Sequence, residues 1–259
     1  MNDPLDYSGK AVIVTGGGRG VGRGISERFL AAGANVVICG RNQPDVPPAA
    51  SGRQALFCAA DVRDVDQIGE VVDFTMDHFA RLDVLVNNAG GAPQADAATA
   101  SPRFSEAIIR LNLLAPLNFS QKANAVMQRQ DDGGAIVNIA SVSATRPSPG
   151  TAAYGAAKAG LLSLTQSLAV EWAPRVRINA VTAGMIETEL AHMHYGDAEG
   201  IAAVAATVPL ERMGAPGDVG DACLFLASPL ATYISGANLL MHGGGEKPAF
   251  LSAAKNTSA

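Results

Sequence analysis

The stretch that most constrains the fold lies near the start of the chain. Lys10 is followed by Ala-Val-Ile-Val-Thr, and then by the turn Gly16-Gly17-Gly18-Arg19-Gly20-Val21-Gly22. The β-branched run suits a buried parallel strand. Beyond the turn, a helical pattern runs from Gly22 to Ala32 and stops at Gly33. Strand, glycine turn and helix N-terminus together make a seat for a dinucleotide pyrophosphate. Glycines let the backbone come close, and the helix dipole favours negative charge. A parallel strand also needs a parallel neighbour reached by a crossover, so the rest of the chain has to alternate strands with helices.

It does. Asn35 to Gly40 reads as a second strand, and the residue at its end bears on the nucleotide. A carboxylate there would hold a ribose 2′-hydroxyl and repel a 2′-phosphate. Here the place is Gly40, followed by Arg41, with Arg19 across from it in the glycine turn. Two cations and no carboxylate favour NADP(H), with NAD(H) as the alternative. The next crossover carries Pro44, Pro47 and Pro48 and is expected to be irregular, because proline blocks a helix.

A third strand from Ala55 is expected to close at Asp61-Val62, and Val65 to Phe79 is an amphipathic helix. The fourth strand, from Asp83, runs into Asn87-Asn88-Ala89-Gly90, and a loop follows to about Ser101. One long helix is predicted over 104–129, kinked because Pro116 has no N–H for the carbonyl of Asn112. That carbonyl and the Asn112 amide could hold a water between them. Gly134 to Ser141, Val176 to Thr182 and Gly236 to His242 complete seven strands, with a helix from Asp218 to Ala227 between the last two. Residues 185–212 form an apolar segment expected to be mobile, and residues 246–259 a tail expected to lack order. With no linker or repeat, the chain reads as one domain over 1–259, with its core over 8–245. It is a doubly wound parallel sheet with helices on both faces.

Within that frame, Ser141 ends a strand, where ligands bind in open parallel sheets. Thirteen residues later comes Tyr154, and Lys158 lies four further on, one helical turn away on the same face. A nearby cation favours the phenolate, and a phenol poised nearer neutrality can exchange a proton with a substrate oxygen. Composition closes off other classes. A net charge of −5 and no Lys/Arg cluster leave no footprint for nucleic acid or an anionic membrane. No apolar run approaches the ~18 residues of a membrane span, and the N-terminus lacks the pattern of a secretory signal. Three scattered cysteines read as reduced core residues, which points to the cytoplasm. The four histidines have no zinc spacing, so no metal is expected.

The glycine turn, Asn-Asn-Ala-Gly, the serine and Tyr-x-x-x-Lys, in this order and spacing, resemble the short-chain dehydrogenase/reductase family over residues 8–245. The resemblance implies a Rossmann-like fold and reversible hydride transfer between a nicotinamide cofactor and a carbonyl or secondary alcohol. It implies that Gly16, Gly20, Val21 and Gly22 shape the pyrophosphate turn and that Asp61 and Val62 flank the adenine. Asn88, with Ala89 and Gly90, would line the cofactor cleft; Gly184, Ile186 and Thr188 would border the nicotinamide, Thr188 touching its carboxamide. Asn112, Ser141, Tyr154 and Lys158 match the catalytic four. By the family's pattern, Lys158 also holds the nicotinamide ribose and Asn112 keeps a water that relays protons to Lys158. Where the family usually has Pro-Gly, this chain has Ala183-Gly184, and a more flexible loop is expected.

The small-molecule substrate is expected to be neutral and lipophilic. Residues 185–211, which by the family's pattern cover the reacting carbon, hold five acids and no Lys or Arg. Arg146 is the cation that could overturn this in favour of a 3-oxoacyl thioester. An NAD-linked alcohol dehydrogenase and a non-catalytic cofactor-binding scaffold compete with this reading. Finally, residues 159–170 (AGLLSLTQSLAV) carry no charge on any helix face. Such a helix is usually covered on both sides, so a homo-oligomer, a dimer or tetramer, is expected.

Overall fold

The computed structural model describes residues 3–253. β1 (Ala11–Thr15) is wholly buried and leads through the glycine turn into α1 (Gly20–Ala31). β2 (Asn35–Gly40) follows. The proline-bearing crossover holds no helix, as expected, but it does contain a small antiparallel hairpin, β3 (Ala49–Ala50) with β4 (Arg53–Gln54). Ser51 and Gly52, both at positive φ (51° and 75°), make its turn. Pro44 packs on the glycine turn, 3.2 Å from where a Cβ of Gly18 would stand, and Arg23 Nη1 donates to the Val46 carbonyl at 2.9 Å. The crossover thus walls one end of the turn without being a helix.

β5 (Leu56–Ala59) is shorter than expected, and Asp61-Val62 lies beyond it rather than closing it. The reason is local: Arg63 N–H and guanidinium both bond the Asp61 carboxylate, curling the chain away from the sheet. α2 (Val65–Phe79) is capped by Asp64, whose side chain accepts from the Asp66 and Gln67 amides, and it ends on Ala80 in the left-handed region (φ 56°). β6 (Val84–Asn87) is followed by the loop to Ser101.

The single long helix anticipated over 104–129 is instead α3 (Pro102–Ile109), a π turn (Arg110–Leu114) and α4 (Ala115–Met127). The N–H of Ala115 reaches back five residues to the Arg110 carbonyl. Proline does disturb this helix; the disturbance takes the form of one surplus residue in a wide turn rather than a simple kink. β7 (Gly134–Ser141), α5 (Ala152–Glu171) and β8 (Val176–Ala183) follow. The cover segment forms two helices, α6 (His192–Tyr195) and α7 (Ala198–Thr207), before α8 (Pro216–Ala227) and β9 (Asn238–Met241). Of the tail expected to lack order, residues 249–253 form a short helix, α9. Its last residues, 254–259, lie outside the described ones.

The seven-stranded sheet runs β5-β2-β1-β6-β7-β8-β9, parallel throughout. α2, α4 and the C-terminal part of α5 pack on one face, α1 and α8 on the other. The chain walks outward from β1 to β5, then returns to start again at β6. Between β1 and β6 the winding reverses, and a crevice opens there at the C-terminal ends of the strands, the usual ligand site of such sheets. Gly16 and Asn88 flank that crevice.

Candidate active site

The crevice is built from buried polar pairings. Thr15 Oγ1 accepts the amides of both Asn88 and Ala89 at 2.9 Å, and Asn88 Nδ2 donates to the Thr15 carbonyl at 2.9 Å. These bonds lock the end of β6 against the glycine turn. The turn itself tolerates nothing larger than glycine at its tightest point: a Cβ on Gly22 would lie 2.2 Å from the Gly16 carbonyl oxygen. Gly16 and Gly20 hold positive φ (63° and 51°). A wall of small residues and a helix N-terminus therefore face the crevice, which fits an extended anionic dinucleotide.

At the far end of the crevice from the nicotinamide side, Arg19 and Arg41 are exposed, and neither side chain bonds another described residue. A Cβ on Gly40 would meet only the Asn42 carbonyl oxygen, at 4.0 Å. Asp61 and Val62 are there too. Asp61, however, is clasped by Arg63, with Nε at 2.9 and 3.1 Å and Nη2 at 2.5 Å. That fork, with burial opposing it and Arg41 adding to it, brings the carboxyl down to about 2. Arg63 was not foreseen from the sequence, although its place two residues after Asp61 was a readable signal.

At the chemical end, Ser141 Oγ accepts the Ser143 amide at 3.2 Å, which leaves its hydroxyl proton to donate. Tyr154 is half-buried with its phenol beside Ser141. Burial pushes the phenol above its ordinary value, and the Ser141 hydroxyl pulls it part of the way back. The expectation that Lys158 would bring the tyrosine toward neutrality is therefore corrected. The ammonium lies 5.7 Å from the Tyr154 ring centre and donates to the Ile139 carbonyl at 2.7 Å. Lys158 itself is the perturbed cation: only 3% exposed, it is lowered by burial to about 8.

Asn112 sits in the π turn, fully buried. Its Nδ2 donates to Gly91 O (3.0 Å) and Ile108 O (2.9 Å), while Oδ1 accepts the Gly91 amide (2.8 Å). Three of its four hydrogen-bonding positions are thus used, and the side chain braces the loop after β6. A Cβ on Gly90 would lie 2.7 Å from Asn112 Oδ1 and 3.4 Å from Lys158 Nζ, so these two groups converge on Gly90. Behind them runs a buried chain that local spacing does not reveal. Asn87 Nδ2 donates to Ser120 Oγ (2.9 Å) and Asn138 Oδ1 (2.8 Å), and Asn138 Nδ2 donates to Thr165 Oγ1 (2.9 Å). It ties β6, α4, β7 and α5 together beneath the site.

Over the crevice, Gly184 is held more firmly than its Ala-Gly context implied: its amide donates to Met241 O at 2.8 Å. Ile186 packs into the core and pairs with Gly214, and Thr188 touches the glycine turn. Arg146, the cation that could have spoken for a charged substrate, is paired with Glu246 at 2.7 Å. Tyr195, from α6, lies near Tyr154 as well as near Arg146 and Glu246.

A family model described as Enoyl-(Acyl carrier protein) reductase matches residues 16–246. The chain is 36% identical over 246 residues to L-rhamnose 1-dehydrogenase (NAD(P)(+)) of Azotobacter vinelandii, covering 91% of this chain and 96% of that one. It is 34% identical over 242 residues to 3alpha-hydroxysteroid dehydrogenase of Mediterraneibacter gnavus, covering 90% and 96%. The chain belongs to the short-chain dehydrogenase/reductase family. The solved structure of ligand-free Thermoplasma acidophilum aldohexose dehydrogenase overlays it with a TM-score of 0.86 at 32% identity, covering 98% of each chain. This family member is an oxidoreductase of alcohol and carbonyl groups, working with a nicotinamide dinucleotide.

Proposed function

We propose that this short-chain dehydrogenase/reductase interconverts a neutral, lipophilic ketone and its secondary alcohol with NADP(H). The observation that carries the chemistry is the convergence of Ser141, Tyr154 and buried Lys158 at the end of β7. The bound nicotinamide supplies or takes the hydride. Tyr154 gives its phenolic proton to the carbonyl oxygen during reduction; a phenol held above its ordinary value stays protonated at neutral pH and suits that direction. Ser141, whose Oγ accepts the Ser143 amide, donates its hydroxyl proton to the same oxygen and stabilises the charge developing there. Lys158 holds the cofactor ribose and returns protons toward Tyr154. Asn112 fixes the Gly90-Gly91 backbone beside Lys158, and a relay water there would use the one position its amide has left.

Preference for NADP(H) rests on Arg19 and Arg41, both without a bonding partner among the described residues, on Gly40, and on Arg63 neutralising Asp61. Fluorescence titration with NADPH and NADH tests it, and tighter NADH binding would sink it.

The lipophilic substrate rests on α7, whose sequence AEGIAAVAAT buries no residue. An apolar helix left open in the segment that, by the family's pattern, covers the reacting carbon is suited to an apolar ligand. Pairing of Arg146 with Glu246 removes the free cation that a phosphate or coenzyme A moiety would seek. Relatives named for a sugar and for a steroid mark the two ends of the range to be assayed. A panel of sugars, steroids, simple ketones and 3-oxoacyl thioesters with NADPH decides it; a clear preference for sugars or thioesters refutes it.

We also read the enzyme as a cytoplasmic homo-oligomer. The outward residues of α5, Ala159, Ser163, Gln166 and Val170, are exposed and uncharged, Val170 to 81%, and the described residues leave this face open. A second copy across a two-fold axis is the natural cover. Light scattering should give a multiple of 26.5 kDa, and a monomer at micromolar concentration would refute assembly.

A further inference from the structure

The nucleotide end of the crevice carries a carboxylate that the chemistry above does not use. α1 begins without a cap of its own: Arg19, at the N-cap, makes no side-chain cap bond, and the first turn holds no acidic residue. Its first amide is satisfied all the same. Gly20 N–H donates to Glu189 Oε1 at 2.9 Å, across 169 residues of sequence. The neighbouring Thr188 leans on the same glycine, its methyl 3.6 Å from where a Gly20 Cβ would stand. Two consecutive residues of the segment after β8 therefore rest on the glycine turn, one of them bringing an anionic oxygen to a helix N-terminus, where negative charge is favoured.

A dinucleotide pyrophosphate is drawn to the same terminus for the same reason, and two anions there repel. Glu189 is exposed and makes no ion pair among the described residues, so nothing else holds it in place. Beside it opens a cavity of about 450 Å³, lined in part by Glu187, Thr188, Glu189, Gly214 and Pro216. The side chain can swing into that space without disturbing β8.

We propose that Glu189 is an internal stand-in for the cofactor pyrophosphate. It straps the cover segment to α1, and it is displaced when the dinucleotide takes the helix terminus. The inference rests on the family's dinucleotide binding at the glycine turn. It is independent of the NADP(H) reading, because both cofactors carry the pyrophosphate and both compete with the same carboxylate.

The test uses the full chain and the variants Glu189→Gln and Glu189→Ala. Dissociation constants for NADH and NADPH are measured by nucleotide fluorescence, and amide hydrogen exchange over residues 188–207 is followed without cofactor. Removing the charge should tighten both cofactors about three- to ten-fold, by equal factors. Glu189→Ala should also exchange faster over 188–207 than wild type, because the strap is cut. Unchanged or weaker binding of both cofactors to both variants, with wild-type binding intact, overturns the proposal. Equal exchange in wild type and Glu189→Ala overturns the strap. A wild-type protein that binds neither nucleotide brings down dinucleotide binding itself, and this inference with it.

Discussion

The floor and the cover of the crevice are made in opposite ways. On the floor, Lys158, Asn112, Asn138 and Thr165 are buried, and their side chains are committed to partners in β6, β7, α3, α5 or the turn after β6. In the cover, Glu187, Glu189 and Leu190 are exposed, and α7 buries nothing. Reaction geometry needs groups fixed to fractions of an ångström, whereas admitting a substrate needs a surface that gives way. Substitutions in the floor should therefore change rates and folding, and substitutions in the cover should change affinities.

The sharpest way to break that contrast is Tyr154→Phe. It should lower turnover about 10³-fold while cofactor affinity stays within two-fold, because the lost group acts on the substrate oxygen. Steady-state rates beside fluorescence titration check it; a variant keeping most of its activity would move the proton donor elsewhere.

Lys158 gives the next largest effect, in stability against pH. Its folded value, about 8, lies below its ordinary 10.5, so between those values the unfolded chain binds more protons than the native one. Stability then rises with pH across that window, and below it the cost of burying the charge is felt in full. At about 1.4 kcal/mol per pH unit, the gain is about 3 kcal/mol. Denaturant unfolding of wild type minus Lys158→Met, compared at the two ends of the window, isolates it, since tyrosine titration is common to both. A difference flat across the window would show that the lysine is not desolvated.

Arg41→Asp should shift the NADPH-to-NADH affinity ratio about ten-fold toward NADH without altering turnover at saturation. The smallest effect belongs to the cover. Val204→Asp, on half-buried α7 surface, should raise KM for a lipophilic substrate a few-fold and leave kcat and cofactor affinity alone. A large fall in kcat instead would mean that the cover holds reaction geometry as the floor does.

Legibility in the sequence follows the same division. Ser141 and the Tyr154/Lys158 pair were readable because a strand end and a four-residue helical step are local rules, and α2 was readable to its boundaries through its period. What escaped depends on partners far apart in the chain. Nothing near Asn87 announces Asn138, 51 residues on, and nothing near Gly20 announces Glu189. The tyrosine's acidity was misjudged because a neighbouring cation is visible in a sequence and the depth of a pocket is not. The hairpin of residues 49–54 was missed since its two-residue strands are too short to show an alternation.

The π turn between α3 and α4 has a mechanical consequence. α3 packs against α5, whereas α4 packs against α2, so one continuous rod would have to face two directions. The surplus residue within 110–114 works like a spline tooth slipped in a shaft: it offsets the first helix from the second by about 100°. Deleting one residue there would give a straighter rod with regular hydrogen bonding, and it would swing Asn112 away from Gly91. A shortened chain of that kind could gain thermal resistance while losing its catalyst, and the irregularity is where those two demands part.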